Sequence, residues 1–126
     1  MINLADNLRT ARLQLLADAL SGGTLTLYTA PKPAIGAAIT TQTALVEVEI
    51  PLDLTAVDAT LDLMLVGTAI LADGEAVWGR MTSITDAFVL DGDCGLLASD
   101  ALIKLKSTNL SAGANLLPIL TTFAEP

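Results

Sequence analysis

The chain has 126 residues, fourteen acidic side chains against six basic ones, no histidine, and a net charge of −8. That length suits one domain, and the charge disfavours binding to phosphate backbones or anionic membranes. The lack of histidine removes Ser–His and Cys–His nucleophile pairs and the commonest metal ligand.

Apolar residues make up 52% of the chain and aromatics only 3%, so Leu, Ala, Val and Ile must form the core. The excess reflects either Ala/Leu-rich usage or surface kept for a partner. The single cysteine, Cys94, cannot form an intrachain disulfide, which fits synthesis in a cytosol. No basic run followed by an apolar run opens the chain, so a signal peptide is not expected. Residues 107–124 lack charge, but Asn109, Gly113, Asn115 and Pro118 interrupt them. A membrane span needs about twenty predominantly apolar residues.

Residues 3–20 read as the one helix. Asn3 can cap it, and Asp6 stands three residues on. Leu4, Leu8, Ala11 and Leu15 recur at helical spacing, with Leu16 and Leu20 widening the stripe. Ser21-Gly22-Gly23 stops it. The domain therefore divides into a helix over 1–22 and a β-region over 23–126.

After Gly23 the period becomes two. Residues 24–29 alternate threonine with Leu25 and Leu27, a strand signal. Pro31, Lys32 and Pro33 open an Ala/Thr/Gly-rich loop that runs to about Thr43. Val46, Val48 and Ile50 then alternate with Glu47 and Glu49, one dry face and one wet, as in an antiparallel sheet. Pro51 ends that strand.

Leu61, Leu63 and Leu65 mark the next strand. Asp73-Gly74 reads as a turn, and residues 76–84 as a strand carrying Trp78. Asp91-Gly92 reads as a hairpin turn between residues 87–90 and 94–97. Residues 102–106 form a strand with Lys104 and Lys106 on its wet face. Residues 116–123 form the last strand, with Pro118 suggesting an edge. About eight short strands at this spacing predict an all-β fold, an antiparallel jelly-roll-like β-sandwich preceded by one α-helix.

Little in the chain can do chemistry. Glu47 and Glu49 share a strand face and read best as solvated. Asp91, Asp93 and Asp100 lack the ligand series and closing glutamate of a calcium loop, and turn chemistry explains them better. Cys94, beside Asp93, reads as an apolar filler. Trp78 and Arg80 could stack on a sugar or base, but Trp78 reads more simply as a core anchor or an interface contact. No metal, cofactor, small-molecule substrate or enzymatic activity is expected.

The order of these features resembles a family of small tailed-bacteriophage virion proteins, the capsid decoration or cement proteins. The resembling pieces are Leu8-Arg9-Thr10-Ala11, Leu27-Tyr28-Thr29 with the Pro/Ala loop after it, and the strand ending at Pro51. They continue with residues 72–80 through Trp78-Gly79-Arg80, residues 88–95, Asp100, Ile103-Lys104-Leu105, the Gly113 turn and a Thr-rich last strand. The resemblance spans nearly the whole chain. It implies a small β-sandwich on the capsid surface of the virion, synthesised in the host cytoplasm. Its partners would be the major capsid protein and its own copies, as a dimer or trimer, with no nucleic acid or membrane. The helix, through Leu4, Leu8, Arg9 and Arg12, or the loop, through Pro31, Lys32 and Pro33, would make subunit contacts, with Trp78 a further candidate. The alternatives are a tail, neck or baseplate component, or a carbohydrate- or host-surface-binding module centred on Trp78 and the loop from Asp91 to Asp100.

Overall fold

The computed structural model describes residues 5–57, 60–65, 69–114 and 118–124. The chain is mostly β with one helix. The helix α1 (Asp6–Leu20) is followed by β1 (Thr24–Tyr28), β2 (Ala44–Glu49), β3 (Thr60–Leu65), β4 (Gly74–Glu75) and β5 (Trp78–Thr82). Then come β6 (Phe88–Leu96), β7 (Ile103–Leu105), β8 (Asn109–Leu110) and β9 (Ile119–Ala124).

Seven strands form one curled sheet in the order β2-β1-β5-β6-β7-β9-β3, and β4 pairs with β8 apart from it. The pivot is β6. Its first part, Phe88 to Asp93, lies beside β5, and its last three residues lie beside β7. One strand thus serves two leaves, β2-β1-β5-β6 and β6-β7-β9-β3, and turns the corner between them. Inward-facing side chains of both leaves meet in one core: Leu25 and Leu27 from β1, Val46 and Val48 from β2, Met81 from β5, Ile103 and Leu105 from β7, Leu63 and Leu65 from β3 and Ile119 from β9. The arrangement is sandwich-like. Each such fully buried aliphatic contributes about 1.5–3 kcal/mol relative to exposure.

Several expectations are corrected. The sheet is mixed, because β6 and β7 run parallel. Alternation reports which face a residue takes but not the direction of its neighbour, so the sequence could not show this. Asp91-Gly92 is not a turn: both residues lie inside the nine-residue strand β6. The reversal before it is at residues 83–87, where the Ser83 amide donates to the Ala87 carbonyl and Asp86 takes φ 62°. Aspartate tolerates that left-handed backbone, and Ser83 Oγ accepts from the Thr85 and Ala87 amides. Pro118 does not mark an edge, since β9 runs between β7 and β3; it precedes the strand, where no ladder donor is required.

The helix is real, but its stripe is rotated. Leu13, Ala17 and Leu20 are buried, and Leu16 packs beside them. Leu13 and Ala17 close one end of the β3–β9 leaf against Ala56, Leu61 and Phe123. Leu8, Ala11 and Leu15 face outward. The first described residue before α1 is Ala5, which makes no side-chain cap; Asn3, the expected cap, lies outside the described residues. Gln14 fastens the helix instead, donating to the Leu54 carbonyl at 3.1 Å and accepting from the Ala56 amide at 2.9 Å. Among the described residues, no helix is long and apolar enough to cross a membrane.

Candidate functional site

The outward face of β1, β5 and β6 holds the densest set of polar and aromatic contacts. Register sets it up. Tyr28 lies opposite Trp78, which lies opposite Asp93; two residues along, on the same face, Thr26 lies opposite Arg80, which lies opposite Asp91. Side chains on one face of directly opposed residues are close enough to interact.

Tyr28 and Trp78 stack with ring centroids 4.7 Å apart and planes 18° from parallel. The Arg80 guanidinium carbon lies 5.3 Å from the Trp78 ring centre and 5.4 Å from that of Phe88. Three of the chain's four aromatic side chains therefore join one stack with a single cation between two rings. Cation–π contacts of this kind gain strength when desolvated.

Arg80 also forks onto Asp91, with Nε 2.7 Å from Oδ1 and Nη2 3.1 Å from Oδ2. The Asp91 side chain is fully buried and Arg80 nearly so. Burial by itself would raise the Asp91 carboxyl. The Arg80 hydrogen bonds, the Gly36 amide and the charges of Arg80 and Lys32 outweigh it and hold that carboxyl below its ordinary value. The same pairing raises Arg80 against its own desolvation.

The loop over residues 31–43 folds down onto this face. The Gly36 amide donates to Asp91 Oδ2 at 3.1 Å, and Lys32 Nζ lies 2.9 Å from Asp93 Oδ1. Gln42, buried despite its amide, donates to the Pro31 carbonyl at 2.6 Å and accepts from the Thr40 amide at 2.9 Å. The loop thus clamps itself at both ends. Trp78 beneath it is fully buried, and its Nε1 donates to the Thr29 carbonyl at 3.0 Å.

The sequence-derived candidates separate accordingly. Leu8 and Arg12 are exposed on α1 and Arg9 is half-buried there, while Leu4 lies outside the described residues. Pro31 and Lys32 are exposed and Pro33 half-buried; Lys32 ties that loop to the Trp78 face. Of the two readings of Trp78, core anchor or interface contact, its burial fits the first: it has no exposed surface, and Tyr28 and Arg80 stack on the ring. The same burial removes it as a stacking platform for a sugar. Asp91 and Asp93 are committed to cations of the chain itself.

No protein family, curated protein or solved structure was found to match the chain.

Among the described residues, no three of His, Cys, Asp and Glu gather so as to hold a metal ion. Burial pushes the Cys94 thiol up to about 12, with only the Gly95 amide opposing it, so it carries no thiolate near neutrality. Phe88, Asp91, Asp93 and Gln42, which complete the clamp, were not anticipated as partners. A signal for two of them exists: with the reversal centred between Thr85 and Asp86, Arg80 falls opposite Asp91 and Trp78 opposite Asp93.

Proposed function

We propose that the chain is a structural protein of a tailed-bacteriophage virion, a capsid decoration protein that binds the outer surface of the head and bridges neighbouring capsid subunits. The observation that carries this reading is the order of motifs across nearly the whole chain. Those motifs coincide with structural devices: Trp78-Gly79-Arg80 and residues 88–95 build the clamp on β5 and β6. A cement protein must be rigid and must adhere, and a loop pinned by an ion pair, one charge-assisted amide contact and a buried glutamine supplies rigidity.

The adhesive elements are the outward row of α1, where Leu8, Ala11 and Leu15 are exposed and Leu15 reaches 72% exposure, and the clamped loop with Pro31, Lys32 and Ile35. Scattered exposed leucines are ordinary, but a row on one helix face supports a contact surface. The test is add-back of the full chain to purified heads lacking it, with heads and tails separated beforehand. Saturable binding to heads, reduced by Leu15→Asp, is expected. Recovery on tails alone would overturn the reading in favour of a tail, neck or baseplate component.

A further inference from the structure

We infer that the outer face of the β7–β9–β3 leaf is the surface through which two copies of this chain pair about a two-fold axis, whatever the location of the protein in a particle. The face is built by the parallel pairing of β6 with β7. Such a pair needs a connection that returns to the start of the neighbouring strand, and here residues 97–102 make it. They double back over the outer face, where Gly95 makes room: a Cβ at Gly95 would stand 2.5 Å from Ser99 Oγ and 3.0 Å from Ala101 Cβ. The returning segment walls a groove of about 620 Å³, lined by Leu97, Asp100, Leu102, Lys104, Leu120 and Thr122 among others.

The register continues the face outward. Lys104 lies opposite Leu120 and Leu120 opposite Met64, a row crossing three strands. Its apolar members are open to solvent: Met64 at 66%, Leu97 at 43% and Leu120 at 38% exposure. This is the opposite face of the leaf from the one that holds α1, because β3 and β9 bury Leu61, Leu63, Leu65 and Ile119 on the other side.

Charge selects a second copy as the occupant. Arg80 and Lys32 are spent within the clamp, and Arg9 and Arg12 have partners of their own. Among the described residues, Lys104 and Lys106 remain without a hydrogen bond or ion pair, and Lys104 belongs to this face. Asp100 lines the groove without a cation, and Asp62 there meets only the Thr122 hydroxyl, at 2.8 Å. Two copies with a net charge of −8 repel each other through their acidic surfaces. The free edge at β2, for instance, would oppose Glu47 and Glu49 with their own counterparts. An isologous interface needs both signs on one patch, so that a residue of one copy meets its complement on the other. This face offers an unpaired cation, uncompensated acids and exposed apolar side chains together.

The test is sedimentation velocity on the full chain over a wide concentration range, with melting curves to confirm that each variant folds. A monomer–dimer equilibrium is expected. Lys104→Glu should weaken it by about tenfold or more, and Leu120→Asp should leave a monomer. The reversal Lys104→Asp with Asp100→Lys in one chain should restore dimer relative to either single change. A monomer at every concentration, a three-fold assembly, or a dimer indifferent to both Lys104→Glu and Leu120→Asp would overturn the inference. Head binding by Leu120→Asp, measured separately, keeps this outcome distinct from that of the proposed function.

Discussion

Arg80 and Asp91 face each other across the β5–β6 pair with Nε 2.7 Å from Oδ1, and the same carboxylate receives the Gly36 amide from the loop above. One buried pair therefore ties a strand hairpin to a loop more than forty residues upstream of its centre. Taking two charges out of water is costly, and the pair is retained only because its remaining hydrogen-bonding capacity is filled.

Breaking the pair on one side should be severe. Arg80→Met leaves Asp91 as a buried uncompensated carboxylate and should cost about 3–5 kcal/mol in urea unfolding. Arg80→Met with Asp91→Leu removes both charges and should cost at least about 1 kcal/mol less than the two single losses together. Additivity within about 0.5 kcal/mol would show that the two side chains do not act as a unit.

The depressed Asp91 carboxyl fixes a pH window. A group whose folded pKa lies below its unfolded value stabilises the fold fully above the unfolded value, about 3.9 for aspartate. That contribution is lost as pH falls through the lower folded value. The stability gap between the native chain and Asp91→Asn should therefore be flat from about pH 7 to pH 5 and narrow below about pH 4. Thermal melts of both proteins across that range check it, and a gap that shrinks between pH 7 and 5 would assign the dependence to another group.

Gly79 shows a different constraint. A Cβ there would stand 2.7 Å from Ile103 Cδ1, 3.0 Å from Leu27 Cδ2 and 3.2 Å from Leu25 Cδ1. The two leaves of the sheet meet over this glycine, so Gly79→Ala should cost about 1–3 kcal/mol by overpacking. Ile103→Val removes the nearest of the three atoms. Chemical denaturation of the double variant should show less loss than the two single changes added.

Local chemistry was legible where one face is wet and one dry. The alternation of Glu47 and Glu49 with Val46 and Val48 is enough to define β2, and that of threonine with Leu25 and Leu27 to define β1. The clamp was not legible because its pairs are remote: Lys32 and Asp93 are joined only by the folding of the loop. Asp91-Gly92 misled because its local turn chemistry is genuine, yet Asp91 finds a stronger partner in Arg80 and stays in a strand. The helix misled for another reason. Leucines occur on both sides of it, so the row of Leu8, Ala11 and Leu15 and the row of Leu13, Leu16, Ala17 and Leu20 fit a helical period equally well. Only packing against Leu61 and Phe123 decides which is buried.

Cys94 provides a probe of the corner strand. Its partner Ile103 is fully buried, and the thiol is pushed up to about 12 by desolvation. The thiolate is the reactive form, so at pH 8 the folded chain should react with a maleimide far more slowly than an unfolded one. Cys94 is half-buried in the fold, and because β6 holds both leaves together, full exposure of its thiol accompanies the parting of β6 from β7 at the corner. Labelling should then track global unfolding in urea, with the same midpoint as the emission change of the buried Trp78. A labelling midpoint well below the Trp78 midpoint would mean that the β6–β7 corner opens before the clamp does.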